Sequence, residues 1–347
     1  MAERAGAAPG SRRGVRVSMA DVARLAGVSA QTVSRVSNGS PSVMPQTRER
    51  VLVAMRDLGY RPNSAARALK RGEFRTLGVI LFTLSTTGNV RTLEAIASSA
   101  ADEGYAITLL PIAFPTQDEV RGAFHRLSEL AVDAVIAIME VHLLDATRLL
   151  VPPGLQVVVA DSGASDQYSV VDTDQLGGTR AAVEHLVHLG HRTVWHLAGP
   201  PESFAAQRRA RAWRETLEER ELPVPEPVFG DWSADSGYRI GLRLAADPEC
   251  SAIFAANDQM ALGLLRALHE RGRRVPQDVS VVGFDDIPEA ASFLPPLTTI
   301  RQDFDEVGRQ LVAGVLRGLR HESGERRTTI VPTTLVVRQS TAPPNSP

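Results

Sequence analysis

The chain has 347 residues, 43% of them apolar and 22% charged, which excludes a mainly disordered polypeptide and leaves length for two or three folding units. The formal net charge of −2 hides an asymmetry: residues 1–72 hold 13 Lys and Arg against 4 Asp and Glu, a net +9, while residues 73–347 hold 25 against 36, a net −11. A basic head on an acidic body suits nucleic-acid binding by the head, and a single cysteine, Cys250, excludes an internal disulfide and a cysteine zinc cluster.

Residues 1–17 are rich in Arg, Ala and Gly, lack the apolar run of a signal peptide, and read as a flexible arm. No stretch of 18 apolar residues follows, so a membrane-spanning helix is not expected and the protein is placed in the cytoplasm. Met19 to Asn38, MADVARLAGVSAQTVSRVSN, reads as two short helices around a tight turn. Ser18 can cap the first, with Asp21 three residues on, and Gly27 suits the left-handed position past its end. Ser29 can cap the second, Ala30 to Ser37, which stops at Asn38-Gly39. Val28, Val33 and Val36 supply a shared apolar face, leaving Gln31, Thr32, Ser34 and Arg35 outward.

This is the outline of a helix-turn-helix, whose second helix enters the DNA major groove. Arg can bond O6 and N7 of guanine together, Gln can bond N6 and N7 of adenine, and small hydroxyls suit phosphate oxygens. Ala30 and Asn38, at the two ends of that helix, complete the candidate DNA-contacting set. Taken alone, the same pattern fits a surface hairpin whose polar face is merely solvated. A third helix is expected from Pro45 to Leu58, opened by Pro at its first position and ended by Gly59. In YRPNSAARALKRG, residues 60–72, a short helix from Ala65 to Lys70 is too short to stand alone in water. Docked on DNA it can insert Leu69 as a wedge in the minor groove; a plain linker is the other reading.

From Arg75 the pattern alternates. Strand-like runs are Leu77–Phe82, Ala106–Leu110, Ala134–Met139, Gln156–Ala160, Thr193–Ala198, Ala252–Ala255 and Val279–Phe284. Amphipathic stretches lie between and after them, at about 89–103, 117–130, 174–189, 205–221, 235–246, 258–271 and 304–319. Apolar strands alternating with helices imply an α/β fold of two doubly wound parallel-sheet subdomains, with a ligand cleft at the carboxyl ends of the strands.

Polar residues at those strand ends are the ligand candidates: Asp161, Asn257, Asp258, Asp285 and Asp286, with Trp232 in GDWSADSG and Arg209 after GPPES. Carboxylates, an amide and a guanidinium can bond adjacent sugar hydroxyls in pairs, and an indole face can pack on the C–H face of a pyranose. Each Asp also has an ordinary alternative as the cap of the next helix. Adjacent carboxylates at Asp285 and Asp286 point different ways from one strand end, which argues against a glycosidase pair. His185, His188 and His191 are better read as structural than as metal ligands, since Gly190 ends their helix before His191. There is no nucleophile elbow and no phosphate loop, so neither an enzyme nor a cofactor is expected.

DVARLAGVSAQTVSRV, RPNSAARAL, LGHR, ANDQMALG, VSVVGFDD and PPLTTIRQDF together resemble the LacI/GalR family of bacterial transcription regulators, from about Ser18 to Pro343. The resemblance implies an arm (1–17), a helix-turn-helix domain (18–62), a hinge helix and linker (63–74), a core like periplasmic sugar-binding proteins (75–341) and a tail (342–347). It implies three crossings between subdomains, one at about 75–172 and 304–330, the other at about 173–303 and 331–341. It carries effector contacts onto Asp161, Arg209, Trp232, Asn257, Asp285, Gln302 and Phe304, and base readout onto Gln31 and Arg35, with paired hinge helices placing Leu69 at the operator centre.

One family member carries Tyr where this chain has Ala30, so the half-site is expected to differ there. The same member ends in a long leucine-heptad tetramerisation tail, whereas this chain ends TAPPNSP, which suits a homodimer on a pseudo-palindromic operator. The first subdomain's segment LFTLSTTGNVRTL, residues 81–93, is more polar than in that member, at Thr86, Thr87 and Asn89. The implied function is a DNA-binding repressor of sugar-utilisation genes, released by a sugar, with a galactoside among the candidates. The alternatives are a corepressor-dependent regulator of the same family, or a sugar-binding module or glycoside-processing enzyme with a basic head.

Overall fold

Ser18 and Asp21 open the first helix with a reciprocal cap: the Ser18 amide donates to Asp21 Oδ2 at 2.9 Å, and the Asp21 amide donates to Ser18 Oγ at 3.3 Å. The computed structural model describes residues 17–60, 72–112, 116–138, 154–160, 167–320 and 326–345. The arm, the expected hinge helix with Leu69, and Asp161 lie outside the described residues. The chain divides into two units, Met1–Phe74 and Arg75–Pro347.

The first unit holds α1 (Met19–Ala26), α2 (Ala30–Ser37) and α3 (Pro45–Asp57). Gly27 takes the left-handed conformation at φ 63°, and Ser29 caps α2 by accepting from the Thr32 amide at 3.2 Å. Pro45 opens α3, which ends at Asp57, one residue short of the expected Leu58; Leu58 is its C-cap and Gly59 turns left-handed. Val22, Ala23, Ala26, Val33, Val36, Val51, Ala54 and Met55 share one small core, with Val28 half-buried at its edge.

The second unit is built on two six-stranded sheets. The first subdomain carries β1 (Thr76–Leu81), α4 (Thr87–Asp102), β2 (Ala106–Pro111), α5 (Gln117–Glu129), β3 (Ala134–Ile138), β4 (Gln156–Ala160) and β5 (Ser169–Thr173). The chain then crosses over. The second subdomain carries α6 (Gln175–His188), β6 (Trp195–Ala198), α7 (Phe204–Glu219), β7 (Val228–Phe229), α8 (Ala234–Leu244), β8 (Ala252–Ala255), α9 (Asp258–Glu270), β9 (Ser280–Asp285) and β10 (Thr298–Gln302). It returns through α10 (Phe304–Leu319) and β11 (Thr328–Val331), then crosses a third time into β12 (Thr333–Val336).

Strand order is β2-β1-β3-β4-β5-β11 in one sheet and β7-β6-β8-β9-β10-β12 in the other; all pairs are parallel except β10–β12. The doubly wound class therefore holds, with five strands beyond the seven expected: β5, β7, β10, β11 and β12. Cys250 is buried, and burial pushes its thiol up to about 12, so it is an inert core side chain. His185 and His191 hold the C-terminal segment: His185 Nε2 lies 3.0 Å from Thr341 Oγ1, and His191 Nε2 lies 3.1 Å from the Ala342 carbonyl.

His196 is fully buried between Trp213 and Phe254, with ring centroids 5.2 and 4.9 Å away. Burial, opposed by a hydrogen bond with the Phe254 carbonyl and reinforced by Arg209, lowers its pKa to about 4. A base depressed on folding is neutral in the native state and gains its proton on unfolding. Its contribution is therefore present above about pH 6.5 and is lost as pH falls through about 4, up to roughly 3 kcal/mol. Urea midpoints are expected to fall between about pH 7 and about pH 4, and His196→Phe to flatten part of that slope. A variant with the wild-type slope would remove His196 from the titration.

Candidate functional site

On α2, Ala30, Gln31, Arg35 and Asn38 are exposed while Thr32 and Ser34 are half-buried, because Val33 and Val36 face the head core. Thr32 Oγ1 lies 3.0 Å from the capping Ser29 hydroxyl, and Asn38 Nδ2 lies 3.4 Å from Ser34 Oγ. Gln31 and Arg35 thus stand on one solvent-facing side of a short capped helix, with the reach and donor chemistry to meet base edges.

The second candidate site lies between the subdomains. A cleft opens at the carboxyl ends of the strands, as doubly wound sheets place it. Arg209, Trp232, Asn257, Asp285, Gln302 and Phe304, six of the seven expected effector residues, line it. Residues distant in the chain meet there because neighbouring parallel strands β8, β9 and β10 end on one side of their sheet and α7 brings Arg209 to the Ala256 carbonyl and Asp285 there.

Arg209 is buried at the first turns of α7. Its Nε donates to Gln175 Oε1 at 2.8 Å, its Nη1 donates to the Ala256 carbonyl, and its Nη2 lies 3.9 Å from Asp285 Oδ1. The guanidinium lies 3.7 Å from the Phe284 ring centroid and 5.5 Å from that of Trp232. Asp285 accepts from Gln302 Nε2 at 2.6 Å. Guanidinium, carboxylate and amide thus form a buried polar strip beside two aromatic rings. Asp285 and Trp232 have φ of 120° and 69°, backbone conformations that non-glycine residues rarely take and that gather at ligand sites. Gly199 seats the indole, since a Cβ there would run into the Trp232 ring.

Asn257 is spent on the scaffold. Its Oδ1 accepts from the Met260 amide at 2.9 Å, capping α9, and its Nδ2 donates to the Trp232 carbonyl and to Gln259 Oε1, both at 3.0 Å. Gln259 in turn donates to Thr87 Oγ1 on α4, a direct bond across the cleft. Asp258 turns away from the cavity: it accepts from Thr299 Oγ1 at 2.6 Å and from the Ile287 amide at 2.9 Å. Burial, followed by repulsion from Asp285, raises its pKa well above the carboxylate range. Asp286 also turns away, accepting from Arg301 Nε and Arg338 Nη2, each at 2.6 Å. Of the strand-end pairs, therefore, one member of each meets the cavity and the other braces the sheet.

The strand-end pattern did not reach Gln175, which positions Arg209 from the start of α6, or Thr92 and Thr173, which line the opposite wall. Gln259 follows Asn257-Asp258 in the ANDQ motif, but its bond to Thr87 spans 172 residues and no local pattern signals it.

A helix-turn-helix unit followed by two doubly wound subdomains around a polar, aromatic-flanked cleft defines a DNA-binding transcription regulator with a ligand-binding core. The family of bacterial regulatory proteins called the lacI family matches residues 18–63, and a periplasmic binding protein-like domain matches residues 183–341. The lactose operon repressor of Escherichia coli (strain K12) is 35% identical over 335 residues, covering 95% of this chain and 92% of that protein. A lac repressor dimer bound to operator and the anti-inducer ONPF superposes with a TM-score of 0.84 at 33% identity, covering 94% of this chain and 100% of that one. A complex of the transcriptional regulator CelR with cellobiose gives 0.70 at 31% identity, covering 94% and 100%. The chain belongs to the LacI family of bacterial regulatory proteins.

Proposed function

We propose that this protein is a dimeric, sugar-responsive transcriptional repressor. The buried Arg209–Asp285–Gln302 strip beside Trp232 in the inter-subdomain cleft carries that reading, because paired polar groups next to an aromatic face are what a pyranose needs. The head over 18–62 reads a pseudo-palindromic operator through Gln31 and Arg35, and the core over 75–341 binds the sugar. Binding shifts the protein between two arrangements by its differential affinity for them, and lowers operator affinity in one. The divergence of Asp285 and Asp286 supports binding of the sugar without its cleavage. The operator-bound lac repressor dimer and the cellobiose-bound CelR support the partners. The protein works in the cytoplasm, on the chromosome.

Fluorescence anisotropy of a labelled pseudo-palindrome from upstream of the gene, at fixed salt, tests the reading when sugars are added. Release by a sugar supports it, tightening makes the protein a corepressor-dependent regulator, and absence of specific binding refutes it. In the same assay Arg35→Ala is expected to cost about 1–3 kcal/mol and to relax discrimination at one base pair. Unchanged discrimination would remove Arg35 from the readout.

A further inference from the structure

We propose that the cleft selects a free, uncharged sugar with hydroxyls along both edges, and disfavours alkyl and aryl glycosides and sugar phosphates. This rests on the sugar-effector reading and narrows it.

The wall opposite Arg209 and Asp285 comes from the first subdomain and sets polar side chains, Thr86, Asn89 and Thr92 around the start of α4 and Thr173 at the end of β5, among the smaller apolar ones of Ala160, Val171 and Val307. Asn89, Thr92 and Thr173 are buried. Asn89 donates its Nδ2 to the Thr83 carbonyl at 3.1 Å, which leaves its oxygen as the acceptor it can offer. Thr86, a lining residue, is the N-cap of α4, yet its hydroxyl does not cap the helix; Oγ1 is buried with no hydrogen-bond partner among the described residues. A buried hydroxyl in that state is costly until something bonds it. A sugar hydroxyl can do so, whereas an isopropyl or phenyl group would seal the wall and leave its polar atoms unpaired. Sites built around hydrogen bonds reject analogues that lack the hydroxyl far more strongly than apolar sites reject a misfit of shape.

Charge excludes the phosphates. Among the described lining residues Arg209 and Asp285 are the charged ones, of opposite sign and 3.9 Å apart. Arg209 is further engaged by Gln175 and the Ala256 carbonyl, so the strip offers no unbalanced cation, and a phosphate would meet the Asp285 carboxylate. Trp232 and Phe304, with Ala160, Val171 and Val307, supply apolar surface for the C–H faces of the ring, and the hydroxyl edges are left to the polar groups on the two sides.

The test is titration calorimetry of the full-length protein with galactose, lactose and cellobiose, their isopropyl and phenyl β-glycosides, and galactose 6-phosphate. A free sugar is expected to bind, its isopropyl and phenyl glycosides about tenfold more weakly or worse, and the phosphate more weakly still. Thr92→Val, which removes a hydroxyl at nearly constant shape, is expected to weaken the free sugar and narrow its advantage. A glycoside or phosphate that binds as tightly as the free sugar overturns this inference and leaves the sugar-effector reading standing. Binding by none of the panel, with the protein folded by circular dichroism, overturns both.

Discussion

An Arg209→Ala variant is expected to hold operator DNA at effector concentrations that clear the wild-type protein, with effector affinity reduced about 100-fold. The guanidinium is buried, positioned by Gln175 and the Ala256 carbonyl, and faces Asp285 in the cleft wall. Truncating one partner of a buried charge pair typically costs about 2–5 kcal/mol, much of it the penalty for the charge left behind. Part of that loss falls on stability, so urea unfolding belongs beside the anisotropy measurement. Arg209→Lys keeps the charge but cannot reproduce the planar set of bonds to Gln175 and Ala256, and is expected to remain impaired. A folded Arg209→Ala protein released at the wild-type effector concentration would remove Arg209 from the effector site.

The largest loss of stability is expected from Gly263→Ala, about 4 kcal/mol or more, enough to unfold much of the population. Gly263 lies on α9 where α8 crosses it: a Cβ there would run into the Ala234 carbonyl oxygen and come within 2.6 Å of the Tyr238 amide nitrogen. Gly237 on α8 faces the Met260 backbone in the same way. The two helices therefore touch backbone to backbone, and an added methyl meets groups that cannot swing aside. The N-terminus of α9 is also where Asn257 holds Trp232, so opening this contact disturbs the cleft. Gly122→Ala in α5 is the control. Its nearest neighbour is the end of a flexible arginine at 3.5 Å, and the change is expected to be neutral or to stabilise by up to about 1 kcal/mol. Equal urea midpoints for the two variants would refute the crossing argument.

What could be read without coordinates was local. The Ser18–Asp21 cap, the turn at Gly27 and the valine face of α2 are set by neighbours within one or two helical turns. The seven strands that were legible are mostly buried apolar runs, such as β3 with five buried residues in a row. Four of the five missed strands lack that mark: β7 has two residues, and β10, β11 and β12 begin with threonine pairs and are mixed in polarity, while β5 has four buried residues but only two aliphatic ones, Val170 and Val171. β10 is nevertheless mostly buried, because β9 and β12 flank it, a property of the sheet and not of its five residues.

Strand ends and motif resemblance together named most of the cleft residues, since a doubly wound sheet points its ligands to its carboxyl edge whatever the sequence. They did not reveal the roles. Only the tertiary structure decided that Asn257 caps α9 and holds Trp232, that Asp258 and Asp286 turn inward to brace the sheet, and that Gln175 positions Arg209. The physical reason is range: capping and periodicity act over a few residues, whereas each of these roles depends on which distant groups a buried side chain meets once the chain has folded.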